Sequence, residues 1–207
     1  MIKTGILGGT FNPIHLAHLA MARTALEQAA LEEIWFMPSK NPPHKSHREI
    51  VSETQRRDMI QLAIQSEPAF CFSDFEWKRQ GTTYTAETLQ LLRKEYSERE
   101  FYFILGGDSF FQLESWYLPQ IIMKSCCLLA ISRNGATREQ MQTQAAYLTR
   151  IYDARIQILQ MQEMDISSSQ IRQRSCKGQD ISALVPPAVA DYIKKQNLYR
   201  QSNSNIR

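Results

Sequence analysis

Residues 2–7 read as a short buried strand that runs into Gly8-Gly9, and from Leu16 the apolar residues take a helical period. Leu16, Leu19, Ala20, Leu26 and Ala30 fall at helical spacing, with Arg23 the one polar interruption. Asn12 and Pro13 read as the N-cap and first residue of that helix. Residues 34–37 return to a strand pattern, which Pro38 stops. Strand, helix, strand within 38 residues is a βαβ unit, so its two strands must run parallel.

The alternation then repeats. The polar loop "NPPHKSHRE" (41–49) leads to Ser52 and Gln55, a capping-box pair that opens a helix to about Ser66. "AFCFSDFEW" reads as a strand, and Thr85 as the cap of a helix holding Leu89, Leu92 and Tyr96. "FYFIL" is a buried strand running into Gly106-Gly107-Asp108, and "CCLLAIS" another that ends at Arg133. Residues 137–149 are helical in pattern, "RIQIL" is a strand, and "ISSSQIRQR" starts a helix with serines at its cap. Pro186-Pro187 opens a last helix that runs to Lys195. The sum is an α/β fold: a Rossmann-like, doubly wound parallel sheet with helices on both faces. The expected division is one domain over 1–199, its residues 160–199 mainly helical, and a loose polar tail over 200–207.

A chain of 207 residues is long enough to bury about 70% of its unfolded surface in one core. Its 43% hydrophobic and 22% charged residues are ordinary for a globular protein. A net charge of +3 with no polybasic block argues against nucleic acid as partner. No apolar stretch approaches the ~20 residues of a membrane span, and no signal-peptide pattern is present, so no membrane and a cytoplasmic location are expected. The four cysteines form no C-x-x-C pair and suit reduced, buried thiols. Oligomeric state stays open, a homo-oligomer included.

In a doubly wound sheet, ligands bind beyond the carboxyl ends of the strands. Four polar signatures sit at those ends: Gly8-Gly9-Thr10, Gly106-Gly107-Asp108, Arg133, and "ISSSQIR" with Ser167, Ser168 and Arg172. The glycines admit a ligand close to the backbone, and a helix start offers free N–H groups to phosphate. His15 and His18 lie three apart, and each can donate a hydrogen bond to a phosphate oxygen. The spacing differs from G-x-G-x-x-G and from a Walker loop, which excludes those two readings. Each signature also has a plain structural reading: a turn, a surface histidine pair, an N-cap with a solvated arginine. All four histidines come in H-x₂-H pairs, His15/His18 and His44/His47, a spacing that zinc also uses. No cysteine joins them at ligand spacing, and Lys45 and Arg48 make the surround basic. Asp108 suits ribose hydroxyls, and a Trp116 with one exposed face would stack on a planar ring.

These residues carry a family resemblance. "GGTFNPIHLAH" resembles the signature of the nucleotidyltransferases related to class I aminoacyl-tRNA synthetases. "NPPHK", "TYTAETL", "GGDS", "LESWY", "ISSSQIR" and the closing "VPPAVADYIKKQNLY" are similar to nicotinate-nucleotide adenylyltransferase, the bacterial enzyme of NAD synthesis. The resemblance extends to about Tyr199. Two positions depart from it: Ala17 stands where glycine is usual, and Ser169 where threonine is common.

The resemblance implies adenylyl transfer from ATP to nicotinate mononucleotide, with Mg²⁺ bound through ATP and no metal ligand from the protein. It implies His18, His15 and Lys45 as catalytic groups. ATP would be held by Gly8, Gly9, Thr10, Phe11, His15, His18, Gly106, Asp108, Arg133, Ser167, Ser168 and Arg172. The mononucleotide would meet Asn41, His44, Lys45, Thr85, Asp108, Trp116 and Tyr117. A sibling adenylyltransferase using the amide nucleotide or phosphopantetheine shares the first motif. A silent nucleotide-binding regulator is the reading from another class.

Overall fold

In the computed structural model, residues 1–40, 50–132 and 137–200 are described. Six strands form one sheet: β1 (Ile2–Gly9), β2 (Glu33–Pro38), β3 (Phe70–Phe72), β4 (Arg99–Gly106), β5 (Cys127–Ile131) and β6 (Arg155–Leu159). Their order is β3-β2-β1-β4-β5-β6, and every pairing is parallel. The chain winds outward from β1 through β2 to β3. It then returns to the other side of β1 as β4, which puts the topological switch point between β1 and β4.

Helices cover both faces: α1 (Leu16–Gln28), α2 (Glu53–Ile64), α7 (Ser168–Cys176) and α8 (Pro187–Lys195) on one, α3 (Thr85–Glu95), α4 (Gly107–Phe111), α5 (Pro119–Ser125) and α6 (Arg138–Tyr152) on the other. The strands feed both cores by their period of two. Phe101, Phe103 and Leu105 of β4 join the core with Leu89, Leu92, Phe110 and Met141. Tyr102 and Ile104 point the other way, into the core with Ala22, Met59, Ile60 and Ile171. Val189 and Ile193 of α8 belong to that second core, so the C-terminal helices pack as part of the sheet's covering. Tyr192 on α8 also donates to Asp58 on α2 at 2.8 Å.

Three local expectations need correction. Helix α1 begins at Leu16 with His15 as N-cap, not at Asn12-Pro13. Asn12 is spent elsewhere: its Oδ1 accepts from the Val51 N–H at 3.3 Å and the Tyr199 hydroxyl at 3.0 Å. The strand expected over 69–77 is only Phe70–Phe72, because Asp74 turns the chain by accepting the Trp77 and Lys78 N–H groups. Thr85 is the first helical residue of α3, and Tyr84 is the N-cap. The short helices α4 and α5 have too few residues to show a period.

Candidate active site

A cavity of about 1020 Å³ opens where the carboxyl ends of β1 and β4 diverge. That is at the upper end of the range for a single small ligand, and suits two. Gly8, Gly9, Thr10 and His18 line it from the β1 side, Ser39 from the end of β2. Gly106 at the end of β4 lines it too, with Asp108, Ser109, Gln112, Trp116 and Tyr117 from the segment that follows. The start of α3 closes it with Tyr84, Thr85 and Thr88, and Glu76 lies beside them.

The two glycines that end β1 leave space outside the protein. A Cβ at Gly8 would meet only the Phe103 ring at 3.5 Å, and one at Gly9 the Phe11 ring at 3.4 Å, both ordinary contacts. Neither has a positive φ. No internal packing demands glycine, so what the missing side chains leave open is the approach to the backbone from the cavity. Gly5 in the same strand is the opposite case: its Cβ would come 2.5 Å from Ile34.

His18 sits at the third position of α1, and its Nδ1 accepts the backbone N–H of His15 at 3.2 Å. An accepting Nδ1 carries no proton, so the neutral ring holds its proton on Nε2. The His15 ring stacks on His18 at 3.6 Å, and Phe11 meets His18 edge-on at 5.0 Å. His15 is 2% exposed and Phe11 1%, and neither lines the cavity. His15 was expected near phosphate and Phe11 against ATP; in this structure both side chains pack on His18. Ala17 is fully buried in α1 and away from the cavity, so its methyl is absorbed by packing.

The serines and arginine of "ISSSQIR" also turn toward the chain. Ser168 donates to Pro13 O at 2.9 Å, and Arg172 Nη1 to Asn12 O at 3.0 Å. Ser167 caps α7 by accepting the Gln170 N–H. None of the three lines the cavity. The carbonyls of the loop between β1 and α1 need donors, and these side chains supply them. Asn41, His44, Lys45 and Arg133 lie outside the described residues.

Trp116 is half-buried and lines the cavity, its ring edge-on to Phe103 at 6.3 Å. Tyr117 is exposed and packs on Tyr84 at 4.4 Å. Asp108 is exposed on the cavity rim. Glu76, 9% exposed, accepts hydroxyl bonds from Thr83 and Thr88, both at 2.9 Å. Burial pushes its carboxyl above the usual range, and those two bonds and Arg79 act against the rise.

The family described as cytidylyltransferase-like matches residues 6–174. A "probable nicotinate-nucleotide adenylyltransferase" of Lachnoclostridium phytofermentans is 46% identical over 199 residues, covering 96% of this chain and all of the relative. One from Carboxydothermus hydrogenoformans is 41% identical and covers 96% of this chain and 98% of its own length. The chain belongs to the nicotinate-nucleotide adenylyltransferase family. The Plasmodium falciparum nicotinic acid mononucleotide adenylyltransferase complexed with NaAD shares the fold, with a TM-score of 0.81. Identity there is 23%, over 96% of this chain and 98% of that one.

Nucleotidyltransferases use a divalent metal together with the nucleotide. Among the described residues, no three His, Cys, Asp or Glu side chains gather closely enough to hold an ion. The carboxylates lining the cavity are Glu76, already bonded to two threonines, and the exposed Asp108. That donor set fits a metal delivered on phosphate, which needs few protein ligands. No described helix is long and apolar enough to cross a membrane.

In this family member the least foreseen residue is Arg56. It is 2% exposed, and its Nη1 donates to Thr10 O at 3.1 Å and Ser39 O at 2.7 Å. Its guanidinium lies 5.0 Å from the Trp77 ring centroid. It thereby joins the loops that leave β1 and β2. The sequence does carry a signal: Arg56, Met59, Ile60 and Ala63 share one buried helix face. An arginine on an apolar stripe must find acceptors inside.

Proposed function

We propose that this chain transfers the adenylyl group of ATP to nicotinate mononucleotide, giving deamido-NAD and pyrophosphate. The observation that carries the reading is one cavity at the switch point with two chemically different sides. Open backbone and His18 stand on one side. An aromatic ring and the start of α3, which no side chain caps, stand on the other.

A phosphate oxygen of the mononucleotide attacks the α-phosphorus of ATP. The bond to the bridging β-oxygen breaks, and pyrophosphate leaves with that electron pair. The nucleophile is already an anion, so no general base is required. Catalysis then rests on positioning and on donors aimed at growing phosphate charge. Gly8, Gly9 and Thr10 let the triphosphate reach the backbone, and His18 gives its Nε2 proton as a hydrogen bond to the α-phosphate. Arg172 keeps donors beyond the Nη1 bond to Asn12, and with the Ser167–Ser168 start of α7 it takes the outer phosphates. His44 and Lys45 meet the incoming phosphate, Asn41 the mononucleotide, and Arg133 the ATP. Asp108 accepts ribose hydroxyls and Gly106 leaves room for them. A divalent ion such as Mg²⁺, held through the ATP phosphates, would screen their charge.

On the acceptor side, Trp116 stacks on the pyridine ring, with Tyr117 beside it. The nicotinate carboxylate is an acceptor without a proton, matched to N–H donors at the start of α3. An amide would turn its NH₂ toward those donors and lose the charge.

Pyrophosphate release with ATP and a panel of acceptors tests the reading. Nicotinate mononucleotide should give the highest kcat/KM, and chelation should stop turnover without removing stoichiometric zinc. A higher kcat/KM for the amide nucleotide or phosphopantetheine would move the chain to a sibling activity. No release with any acceptor would leave the regulator.

A further inference from the structure

Among the described residues, three helices close a full capping box; in α1 the pair is His15 and His18. In α2 and α6 the third helical residue, Gln55 or Gln140, reaches back to the N-cap backbone N–H of Ser52 or Thr137. Helix α3 has the residue for the same bond and does not make it. Its third position is Glu87, and its N-cap Tyr84 makes no side-chain capping bond.

Glu87 is held elsewhere. Its Oε2 accepts from Arg79 Nη2 at 2.7 Å. Arg79 Nη1 donates to Thr88 Oγ1 at 2.9 Å, and that hydroxyl donates to the buried Glu76. Arg79 is itself fixed, because its carbonyl accepts the Lys40 ammonium at 2.7 Å and its side chain is 20% exposed. One guanidinium therefore balances two carboxylates beside the cavity wall formed by Tyr84 and Thr85.

We infer that Arg79 is a specificity-determining positioning residue: by drawing the Glu87 carboxylate away from the start of α3, it keeps the N–H groups there open to the acceptor's carboxylate. The inference rests on the acceptor reading above. Without Arg79, Glu87 can turn back onto its own helix start, as Gln55 and Gln140 do. It then competes with the nicotinate carboxylate for the same donors and repels it. An acceptor without a carboxylate does not feel that competition, and ATP lies on the other side of the cavity.

The test is steady-state kinetics of the full chain with the acid and amide mononucleotides. Arg79→Met should raise KM for nicotinate mononucleotide about tenfold. KM for ATP and kcat should stay within about twofold, so the acid-over-amide ratio falls. Arg79→Met with Glu87→Ala should restore the ratio, because alanine supplies no rival carboxylate. A merely structural role for Arg79 would leave the double variant no better than the single one, and that result overturns the inference. Glu87→Ala alone removes a side chain that is 39% exposed, and offers an arm independent of the folding of Arg79→Met. It should hold the ratio at or above that of the wild type; a fall would show that Glu87 supports the site and would also overturn the inference. Failure of the acceptor reading shows separately, as a wild type without acid preference.

Discussion

His18 Nδ1 and the His15 backbone N–H form a 3.2 Å hydrogen bond that decides which nitrogen of the neutral His18 ring carries the proton. The bond occupies the Nδ1 lone pair, and the stacked His15 ring at 3.6 Å limits rotation. The proton is left on Nε2, on a side chain that lines the cavity. The first prediction follows from this preorganised donor. A donor aimed at transition-state charge is worth roughly 10²–10³ in rate. His18→Ala should lower kcat by that order and leave ATP affinity within a few-fold. Near-normal turnover in a pre-steady-state measurement would remove His18 from the reaction.

Arg56 carries the second prediction. Burial pushes its guanidinium below the usual arginine range, with Glu53 and Tyr199 acting against the fall, yet it stays charged. Arg56→Met would strand the Thr10 and Ser39 carbonyls and should cost about 2–4 kcal/mol of unfolding free energy in a urea titration. Turnover should fall as well, because both loops flank the cavity. Arg56→Lys adds a sign that can be checked. The same burial would lower an ammonium's pKa in the folded state, so the unfolded chain would bind more protons over the alkaline range. Stability then rises with pH there. The gap between Arg56→Lys and wild type should narrow between about pH 7 and pH 10. A gap that widens would show that the ammonium is not desolvated.

Much of this was legible in the sequence, for definable reasons. The six strands and the larger helices follow from changes of period, and the parallel order follows from the short βαβ connection. Gly8-Gly9, His18, Thr85, Asp108 and Trp116 could be gathered because strand ends in such a sheet share one rim. What escaped was the partner of each polar group. Asn12 looks like a cap by type, but its oxygen serves Val51 and Tyr199, the latter 187 residues away. Ser168 and Arg172 suit phosphate by type, but their second task, holding the loop between β1 and α1 through Pro13 O and Asn12 O, was not legible. Hydrogen bonds across such separations leave no local period, so no window of sequence displays them.

Trp116 carries the last prediction. The residue follows the Leu113–Ser115 turn, and its backbone N–H is tied back to Leu113 O at 3.1 Å. Phe103 meets its ring edge-on, which fixes the ring without covering the face that a ligand would use. The same wall of the cavity holds Tyr84 and Thr85, where a carboxylate on a stacked pyridine would find the start of α3. The adenine of ATP needs the other side, beyond Gly8 and Gly9. Trp116→Ala should therefore raise KM for nicotinate mononucleotide roughly ten- to a hundredfold, since an aromatic stack with its buried area is worth about 1–3 kcal/mol. ATP affinity, read by calorimetry without the acceptor, should change less than about twofold on the same ground, because no stacking partner is lost there. Trp116→Phe keeps a flat ring and should recover most of the loss. If the alanine variant lost ATP binding and kept its KM for the mononucleotide, the two ligands would have to exchange sides of the cavity, and His18 would then face the acceptor phosphate.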